Sequence, residues 1–501
     1  MAEQPKKIIE ISGKDWASGL ASQSFYPDNG LFVQATNFDP FEQYGTFRPT
    51  KIGGVSTTLF AGYDVKYFVG WFNGSDSGKS YAYGFGDSSG VVSIATDSLT
   101  AVAASDDSAI TDVSAQISGI TTIRGAIKFK DKMLYAGDSV ISSNSIPLAS
   151  ANEVDIVTSG LQAADHIMEI APDRQCYFTN KQYVGRITNV AGTSGNNATY
   201  LTFEDDVVTR DIDNDGKYLI IAGDTNQTSS YLNALARGRA RCFVAFWNMK
   251  SQDLSQIWEF NDSRIYSIAY VDGEVIVIGA DNIYSCSLTS PITPIMPLRG
   301  NASLTLNYQY PPTPGSTIKR GNGIVLFTSG NNIYGYGREN PNQKKVFFHL
   351  NTTPSGNSVP ALFHDGAKLI GSTDTSIIHT YDTLAARNTS TLELAELDFE
   401  NPYRFNLAKI VMRDNLASGG SVSLQTFTRA GELTVLKNRT VSFTNDGGID
   451  SYIFYPEQTS SSDEQAYTFE DLTDMTLSNV ASQIRRFEIW ATPVNPLQRT
   501  K

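Results

Sequence analysis

The sequence predicts an all-β protein, with a β-propeller of about six to eight blades between an N-terminal extended arm and a C-terminal β-sandwich. Three observations lead to this prediction. A short β-prone pattern returns about seven times between residues 60 and 385. Apolar residues at helical spacing are nearly absent, and longer alternating strands replace the repeat after about residue 390.

Each copy of the repeat is a run of apolar and aromatic residues, then a turn of Gly, Ser, Asp or Asn, then a second β-prone run. The copies begin at Tyr67, Lys132, Cys176, Lys217, Glu274, Gly323 and Lys368. Their spacing is about 41 to 65 residues, and the lower end matches one four-stranded blade. Pairs such as Asp272-Gly273 stand just before an apolar run, where they favour tight hairpin turns. Because one blade cannot bury both faces alone, we expect the copies to stack around a ring.

The composition changes along the chain indicate an arm at residues 1–54, a propeller at 55–388 and a sandwich at 389–501. Pro27, Pro40 and Pro49 exclude a continuous helix from the arm. In the last part, segments such as Ser421–Phe427 alternate polar and apolar residues with period two. This alternation predicts strands with one buried face and one solvated face, which is typical of a sandwich.

The arm is rich in aromatic residues, which are depleted in disordered tails. They are Phe25, Tyr26, Phe32, Phe38, Phe41, Tyr44 and Phe47. Such a segment packs either on its own domain or on a neighbouring subunit, and we predict a contact with a neighbouring subunit. Deleting residues 1–50 is then expected to leave a folded monomer that no longer assembles.

The formal net charge of −13 argues against a surface built to grip nucleic acid. An acidic wall is still compatible with DNA that passes without specific binding. The three cysteines have no metal-ligand spacing, and their odd number argues against a disulfide framework. We see no signal peptide and no run of 18 apolar residues, so we expect synthesis in a cytoplasm and no membrane span.

One segment resembles the first half of a calcium loop. Asp211, Asp213 and Asp215 alternate before Gly216, as carboxylates do when they converge on a hard cation. The twelfth position, where a bidentate Glu belongs, is Ala222. We therefore expect no cofactor, keep calcium as a weaker hypothesis, and regard an acidic hairpin turn as the alternative.

Three arginines, Arg237, Arg239 and Arg241, alternate just before an apolar run. On a strand, their guanidinium groups would share one face. They are either a solvated strand edge that deters mispairing or a contact with an acidic neighbour, such as another copy of this chain.

No catalytic motif stands out, so we predict no enzyme and name no catalytic residue. Gly74–Ser80 is one residue short of a phosphate-binding loop and lies between two β-prone runs. A triad or a pair of carboxylates could still assemble from distant residues. Two other classes therefore stay open: a host-surface or glycan-binding propeller, and a polysaccharide-active propeller enzyme.

Both ends of the chain resemble tailed-bacteriophage virion proteins. The N-terminal segments are Asn29-Gly-Leu-Phe32, Asn37-Phe-Asp-Pro-Phe41 and Gly45-Thr-Phe-Arg-Pro49. The C-terminal segments are Leu397–Arg404, Lys409–Arg413 and Gly419–Leu424. The order of arm, propeller and terminal sandwich is similar to that of the tail nozzle or hub proteins of short-tailed phages.

This resemblance implies a non-enzymatic structural protein of the virion tail, made in the host cytoplasm. It implies a ring of identical subunits, often six, around the DNA exit channel. The ring would contact an adaptor, the portal or a tail fibre. A symmetric ring needs a repeated contact between protomers, and the aromatic arm is the segment we expect to supply it.

Overall fold

The computed structural model confirms the all-β class. It describes residues 4–17, 19, 32–42, 45–50, 53–57, 65–73, 79–86, 90–96, 110–227, 236–298, 317–352, 361–364, 366, 368–372, 376–380, 389–394, 403–413, 421–427, 434–442, 449–455, 473–478 and 483–493. Within these ranges the chain forms short strands joined by turns. Short 3-10 helices lie at Gly13–Ala17, Ser114–Gln116 and Ser150–Asn152.

The first three strands lie in three different sheets. They are β1 (Lys6–Ser12), β2 (Phe32–Thr36) and β3 (Gly53–Thr57). The extended segments between prolines that predicted an arm are thus strands of the folded body.

The propeller prediction is also confirmed. Six sheets follow, each an antiparallel meander of four consecutive strands, and we call them blades 1 to 6. Their strands are β4–β7 (Val65–Asn73, Lys79–Gly86, Val91–Ala95, Ile110–Asp112), β8–β11 (Gly125–Phe129, Lys132–Ala136, Ile141–Ser145, Val154–Val157), β12–β15 (Met168–Ile170, Cys176–Asn180, Tyr183–Ile187, Asn197–Thr202), β16–β19 (Val208–Asn214, Leu219–Asp224, Ala240–Trp247, Gln256–Asp262), β20–β23 (Ile265–Val271, Glu274–Gly279, Asn282–Cys286, Thr293–Pro297) and β24–β27 (Ile318–Arg320, Ile324–Ser329, Asn332–Gly337, Val346–Thr352).

Blade 7 closes the ring with strands from both ends of the propeller. It contains β28 (Ala361–His364), β29 (Leu369–Ser372) and β30 (Ser376–Thr380), and β3 pairs antiparallel with β30 as its fourth strand. The first strand of each blade contacts the first strands of both neighbouring blades, and β28 contacts β4. The seven first strands therefore line a central channel. The ring is closed by backbone hydrogen bonds between β3 and β30, which are far apart in the sequence.

The second strand of most blades is buried along nearly its whole length. In β13, β17, β25 and β29 every residue is buried. Each of these strands is covered on both faces because a neighbouring blade packs on either side. Strands buried on both faces read as continuous apolar runs, which is the pattern that repeats in the sequence.

The remaining strands form the predicted sandwich, but they do so with help from the N-terminal part of the chain. They are β31 (Ser390–Leu394), β32 (Tyr403–Arg413), β33 (Ser421–Phe427), β34 (Thr434–Ser442), β35 (Ile449–Phe454), β36 (Thr473–Ser478) and β37 (Gln483–Pro493). One sheet has the order β1-β37-β32-β35 and the other β2-β31-β36-β33-β34. The segment expected to be an arm thus supplies one strand to each sandwich sheet and one to blade 7. The propeller is inserted into the sandwich between β2 and β31.

Sandwich and propeller share one apolar core. Trp16, Phe38 and Phe47 are buried together with residues of both sandwich sheets and with the facing side chains of blades 5 and 6. The backbone N–H of Phe38 donates to the carbonyl oxygen of His349 on β27 over 2.9 Å. The indole N–H of Trp16 donates to the carbonyl oxygen of Arg485 over 3.1 Å. The first of these bonds fixes the N-terminal segment against β27, the last strand of blade 6, and the second fixes it to β37 of the sandwich.

Candidate functional site

Four of the seven aromatic residues predicted to contact a neighbouring subunit lie within the described residues, and all four are buried. Phe32, Phe38 and Phe47 are almost completely buried in the chain's own core, and Phe41 is only 6% exposed. The rings of Phe38 and Phe47 pack with centroids 4.7 Å apart. These four rings present almost no surface to another subunit, so they correct that prediction. Phe25, Tyr26 and Tyr44 lie outside the described residues.

The carboxylates proposed as calcium ligands bind other groups. Asp211 and Asp213 lie on β16, the first strand of blade 4. Oδ2 of Asp211 accepts from the hydroxyl of Ser267 over 2.6 Å and from the N–H of Ile268 over 2.8 Å. Oδ2 of Asp213 accepts from the N–H of Tyr270 over 2.6 Å. Both side chains therefore fasten blade 4 to β20, the first strand of blade 5.

The third carboxylate of that motif points elsewhere. Oδ1 of Asp215 accepts from the N–H groups of Lys217 and Tyr218, as it does in the acidic hairpin turn that was the alternative. Across the part of the chain that the structure describes, no three His, Cys, Asp or Glu side chains are grouped so that they could hold a metal ion. The alternating carboxylates thus serve as contacts between blades and as a turn, and they do not converge.

A lysine from blade 6 binds one of these carboxylates, that of Asp213. Nζ of Lys319 on β24 lies 2.7 Å from Oδ1 and 2.6 Å from Oδ2 of Asp213. Glu169 on β12 of blade 3 accepts from the side-chain amide of Asn214 over 2.6 Å. Side chains from the first strands of blades 3, 4 and 6 therefore lie close together.

Burial changes the acidity of this cluster. It raises the pKa of Glu169 to about 7, and the nearby charge of Asp213 adds to the effect while Lys319 opposes it. Burial likewise raises the pKa of Asp211 to about 7, against the hydrogen bonds it accepts from Ser267 and Ile268. Perturbed carboxylates of this kind occur at functional sites and in structural networks alike. Here the hydrogen bonds of Asp211 and Asp213 to the neighbouring blade indicate a structural network.

The three arginines do not lie together on one face of a single strand. β18 begins at Ala240, so only Arg241 lies within it. Arg241 forms an ion pair with Glu204, and its guanidinium lies 3.9 Å from a carboxylate oxygen of Glu259. Arg239 is exposed and lies 3.9 Å from Asp281, and Arg237 is exposed before the strand. The acidic partners of Arg239 and Arg241 are thus found within the chain itself.

The cysteines and two histidines are parts of the core. Cys176, Cys242 and Cys286 are buried as free thiols, and burial raises the pKa of each. Burial lowers the pKa of His166, and it lowers that of His349 to about 4. A thiol with a raised pKa is a poor nucleophile, so none of these three cysteines has the environment of a reactive one.

A cavity of about 520 Å³ lies where the N-terminal segment meets blades 6 and 7. Sequence reasoning missed it, because its residues come from three separate stretches of the chain. Its central charged group is Arg320 at the end of β24. Nη1 of Arg320 lies 2.5 Å from Oδ2 of Asp39, and Nη2 lies 3.2 Å from Oδ1. Burial lowers the pKa of Arg320, but Asp39 outweighs burial and the net shift is upward.

The described residues contain no helix that is long and apolar enough to cross a membrane. No protein-family model matches the chain, and no curated protein matches it in sequence.

The chain is similar to several solved structures. A catalytically inactive variant of virginiamycin B lyase from Staphylococcus aureus, solved with quinupristin, is 13% identical with a TM-score of 0.43, covering 66% of this chain and 98% of that chain. A chain of the mitotic checkpoint complex is 10% identical with a TM-score of 0.39, covering 65% and 93%. The Pan2 WD40 domain of Neurospora crassa is 8% identical with a TM-score of 0.39, covering 66% and 90%. Likeness at this distance concerns the fold, and the phage resemblance stays a prediction.

Proposed function

We propose that this propeller protein is a non-enzymatic structural component of a tailed-phage particle. In this proposal it forms part of the tail nozzle or hub ring around the DNA exit channel, is made in the host cytoplasm and contacts an adaptor, the portal or a tail fibre. The observation that carries the proposal is the joint between sandwich and propeller. The segments that resemble virion proteins build this joint, since Phe38 and Phe47 lie in the shared core and Asp39 binds Arg320.

In this proposal the joint makes the chain a rigid building block. The sandwich core continues into blades 5 and 6, and β3 ties the N-terminal part of the chain into blade 7. A subunit of a ring contacts a neighbour on each side and must keep its shape between the two contacts. A core shared by sandwich and propeller serves that purpose. The net charge of −13 also suits a wall that DNA passes without binding.

The sandwich, and not the aromatic segment, supplies the ring contact in this proposal. β35 is the end strand of its described sheet, and Ile453 and Tyr455 on and beside it are 44% and 58% exposed. An end strand with exposed apolar side chains is a template for pairing with another chain. We assign this edge to a second copy of the same protein, repeated around a ring of about six subunits.

Electron microscopy and light scattering of the purified protein test this assignment. We expect closed rings from the wild type and monomers from Ile453→Asp. The matched control is Ile257→Asp, because Ile257 on β19 of blade 4 is similarly exposed at 39%. That control should still form rings. A wild type that stays monomeric at every concentration, alone and with the adaptor or portal protein, would overturn the proposal.

One observation favours a second candidate function, a host-surface or glycan-binding propeller. The cavity beside Arg320 has the size of a small-molecule site, and a purely structural subunit does not require one. A screen of the purified protein on immobilised glycans separates the two functions. Binding of one glycan class without ring formation supports the second candidate.

A further inference from the structure

The cavity beside Arg320 has two walls of different chemistry. One wall is apolar and is formed by Phe41 from the N-terminal segment, Ile324 and Leu326 on β25, and Leu369 on β29. Phe41 is held in place because its ring packs edge-on against Phe348, with centroids 5.6 Å apart. The exposed fraction of these side chains ranges from 0% for Leu326 to 6% for Phe41 and Leu369, so each presents only a small apolar area to the cavity.

The other wall carries oxygen and nitrogen atoms that can hydrogen-bond a ligand. Glu42 and Glu339 contribute carboxylates, Asn322 an amide and His364 an imidazole. Nδ1 of His364 accepts from the N–H of Gly366 over 3.1 Å. The wall therefore combines the carboxylate acceptors with a donor, the side-chain amide of Asn322.

The charged residues that the structure describes around the cavity carry more negative than positive charge. Arg320 is bound through two nitrogen atoms to Asp39, which neutralises its positive charge. A carboxylate oxygen of Glu42 lies 3.8 Å from the guanidinium of Arg48. Glu339 is exposed at the cavity and adds a further negative charge. The balance is negative, so a phosphate or carboxylate would be repelled and an amine attracted.

We propose that this cavity binds a neutral or amino sugar of one or two rings. The apolar wall would pack against the C–H face of the ring, while the carboxylates accept hydrogen bonds from its hydroxyl or ammonium groups. The volume of about 520 Å³ falls within the range of small-ligand sites. The proposal rests on the second candidate function, for which it names the site and the ligand class, and it does not depend on ring formation.

Binding at this position would also stabilise the fold. The ligand would contact the N-terminal segment and blades 6 and 7 at once, near the place where β3 closes the ring. A ligand that binds only the folded state raises the unfolding temperature as its concentration increases. Saturation-transfer NMR and thermal unfolding therefore report on the same event independently.

The experiment uses the full chain and four probes: methyl glucoside, N-acetylglucosamine, glucosamine and N-acetylneuraminic acid. We expect saturation transfer and a rise in melting temperature with the neutral and amino sugars, with dissociation constants of about 1 mM or below. N-acetylneuraminic acid should give neither signal. Absence of binding by all neutral and amino sugars at about ten times that concentration, or binding of the anionic sugar alone, overturns the proposal.

Two substitutions locate the binding. Asn322 is exposed at the cavity, and Asn342 is equally exposed in the turn between β26 and β27. Asn322→Trp should fill the cavity mouth and abolish sugar binding, while Asn342→Trp should bind as the wild type does. Glu339→Gln should weaken glucosamine binding by about tenfold relative to methyl glucoside, and Asp253→Asn in a distant exposed turn should not. Unchanged binding by both Asn322→Trp and Glu339→Gln would overturn the assignment to this cavity.

Discussion

Asp224 joins blade 4 to blade 5, and its replacement tests how the blades are held together. Its side chain is completely buried at the end of β17. Its carboxylate accepts from Nε and Nη2 of Arg210 over 3.0 and 2.9 Å, within the same blade. It also accepts from the N–H of Asn226 over 2.9 Å and from the N–H of Ile265, at the start of blade 5, over 3.0 Å.

Asp224→Ala should lower the free energy of unfolding by about 3–5 kcal/mol. The substitution leaves the guanidinium of Arg210, whose side chain is only 9% exposed, as a buried charge without its carboxylate. It also removes the acceptor from two buried N–H groups, and each loss of this kind is costly. Urea unfolding followed by tryptophan fluorescence measures the loss, since Trp247 on β18 of the same blade is fully buried.

A double-mutant cycle checks the reasoning. Arg210→Met in the Asp224→Ala background removes the unpaired charge, so the double variant should be more stable than Asp224→Ala alone. A cost below about 1 kcal/mol for Asp224→Ala would refute the argument, because a buried ion pair cannot be broken so cheaply. A double variant that loses the sum of both single effects would refute it as well.

Three further predictions concern other parts of the molecule. Burial raises the pKa of Glu169 to about 7, so the stability that this group contributes is present below about pH 4.5 and is lost as the pH rises through 7. Glu169→Gln should therefore reduce the fall in melting temperature between pH 5 and pH 8, and an unchanged fall would contradict this. A methyl group on Gly335 would lie 2.1 Å from the ring of Phe348, so Gly335→Ala should cost about 1–3 kcal/mol in urea unfolding, and Phe348→Leu should restore part of it. Deleting residues 1–50 should abolish cooperative unfolding measured by circular dichroism, because the deletion removes Phe38 and Phe47 from the shared core; a folded monomer would support the earlier arm hypothesis instead.

The repeat in the sequence predicted the propeller because of where its copies fall. Six of the seven copies lie on the second strand of blades 2 to 7, which is covered on both faces. The first copy, at Tyr67, lies on β4, which is a first strand. In blade 1 the second strand, β5, begins with Lys79 and only partly buried residues, so its apolar run is less distinct. The number of copies therefore indicated the number of blades, whereas the strand on which each copy lies could be assigned only from the structure.

The contacts of the site could not be predicted because they join distant parts of the chain. Asp213 and Lys319 are 106 residues apart, and Asp39 and Arg320 are 281 residues apart. The spacing of Asp211, Asp213 and Asp215 suggested a common ligand, but alternate residues of a first strand face the next blade and bind it instead. The aromatic residues of the first 50 did indicate packing. The sequence could not show whether they pack on their own chain or on another.

The insertion of the propeller into the sandwich determines how the molecule carries mechanical force. Thr36 on β2, by which the chain approaches the ring, is the direct pairing partner of Thr391 on β31, by which it returns. A force applied between β1, the first strand of the sandwich, and β37, its last strand, is therefore carried by the β1–β37 and β2–β31 ladders and does not pass through the seven blades. Stretching should rupture these ladders first, and the closed ring is shielded from tension until they separate.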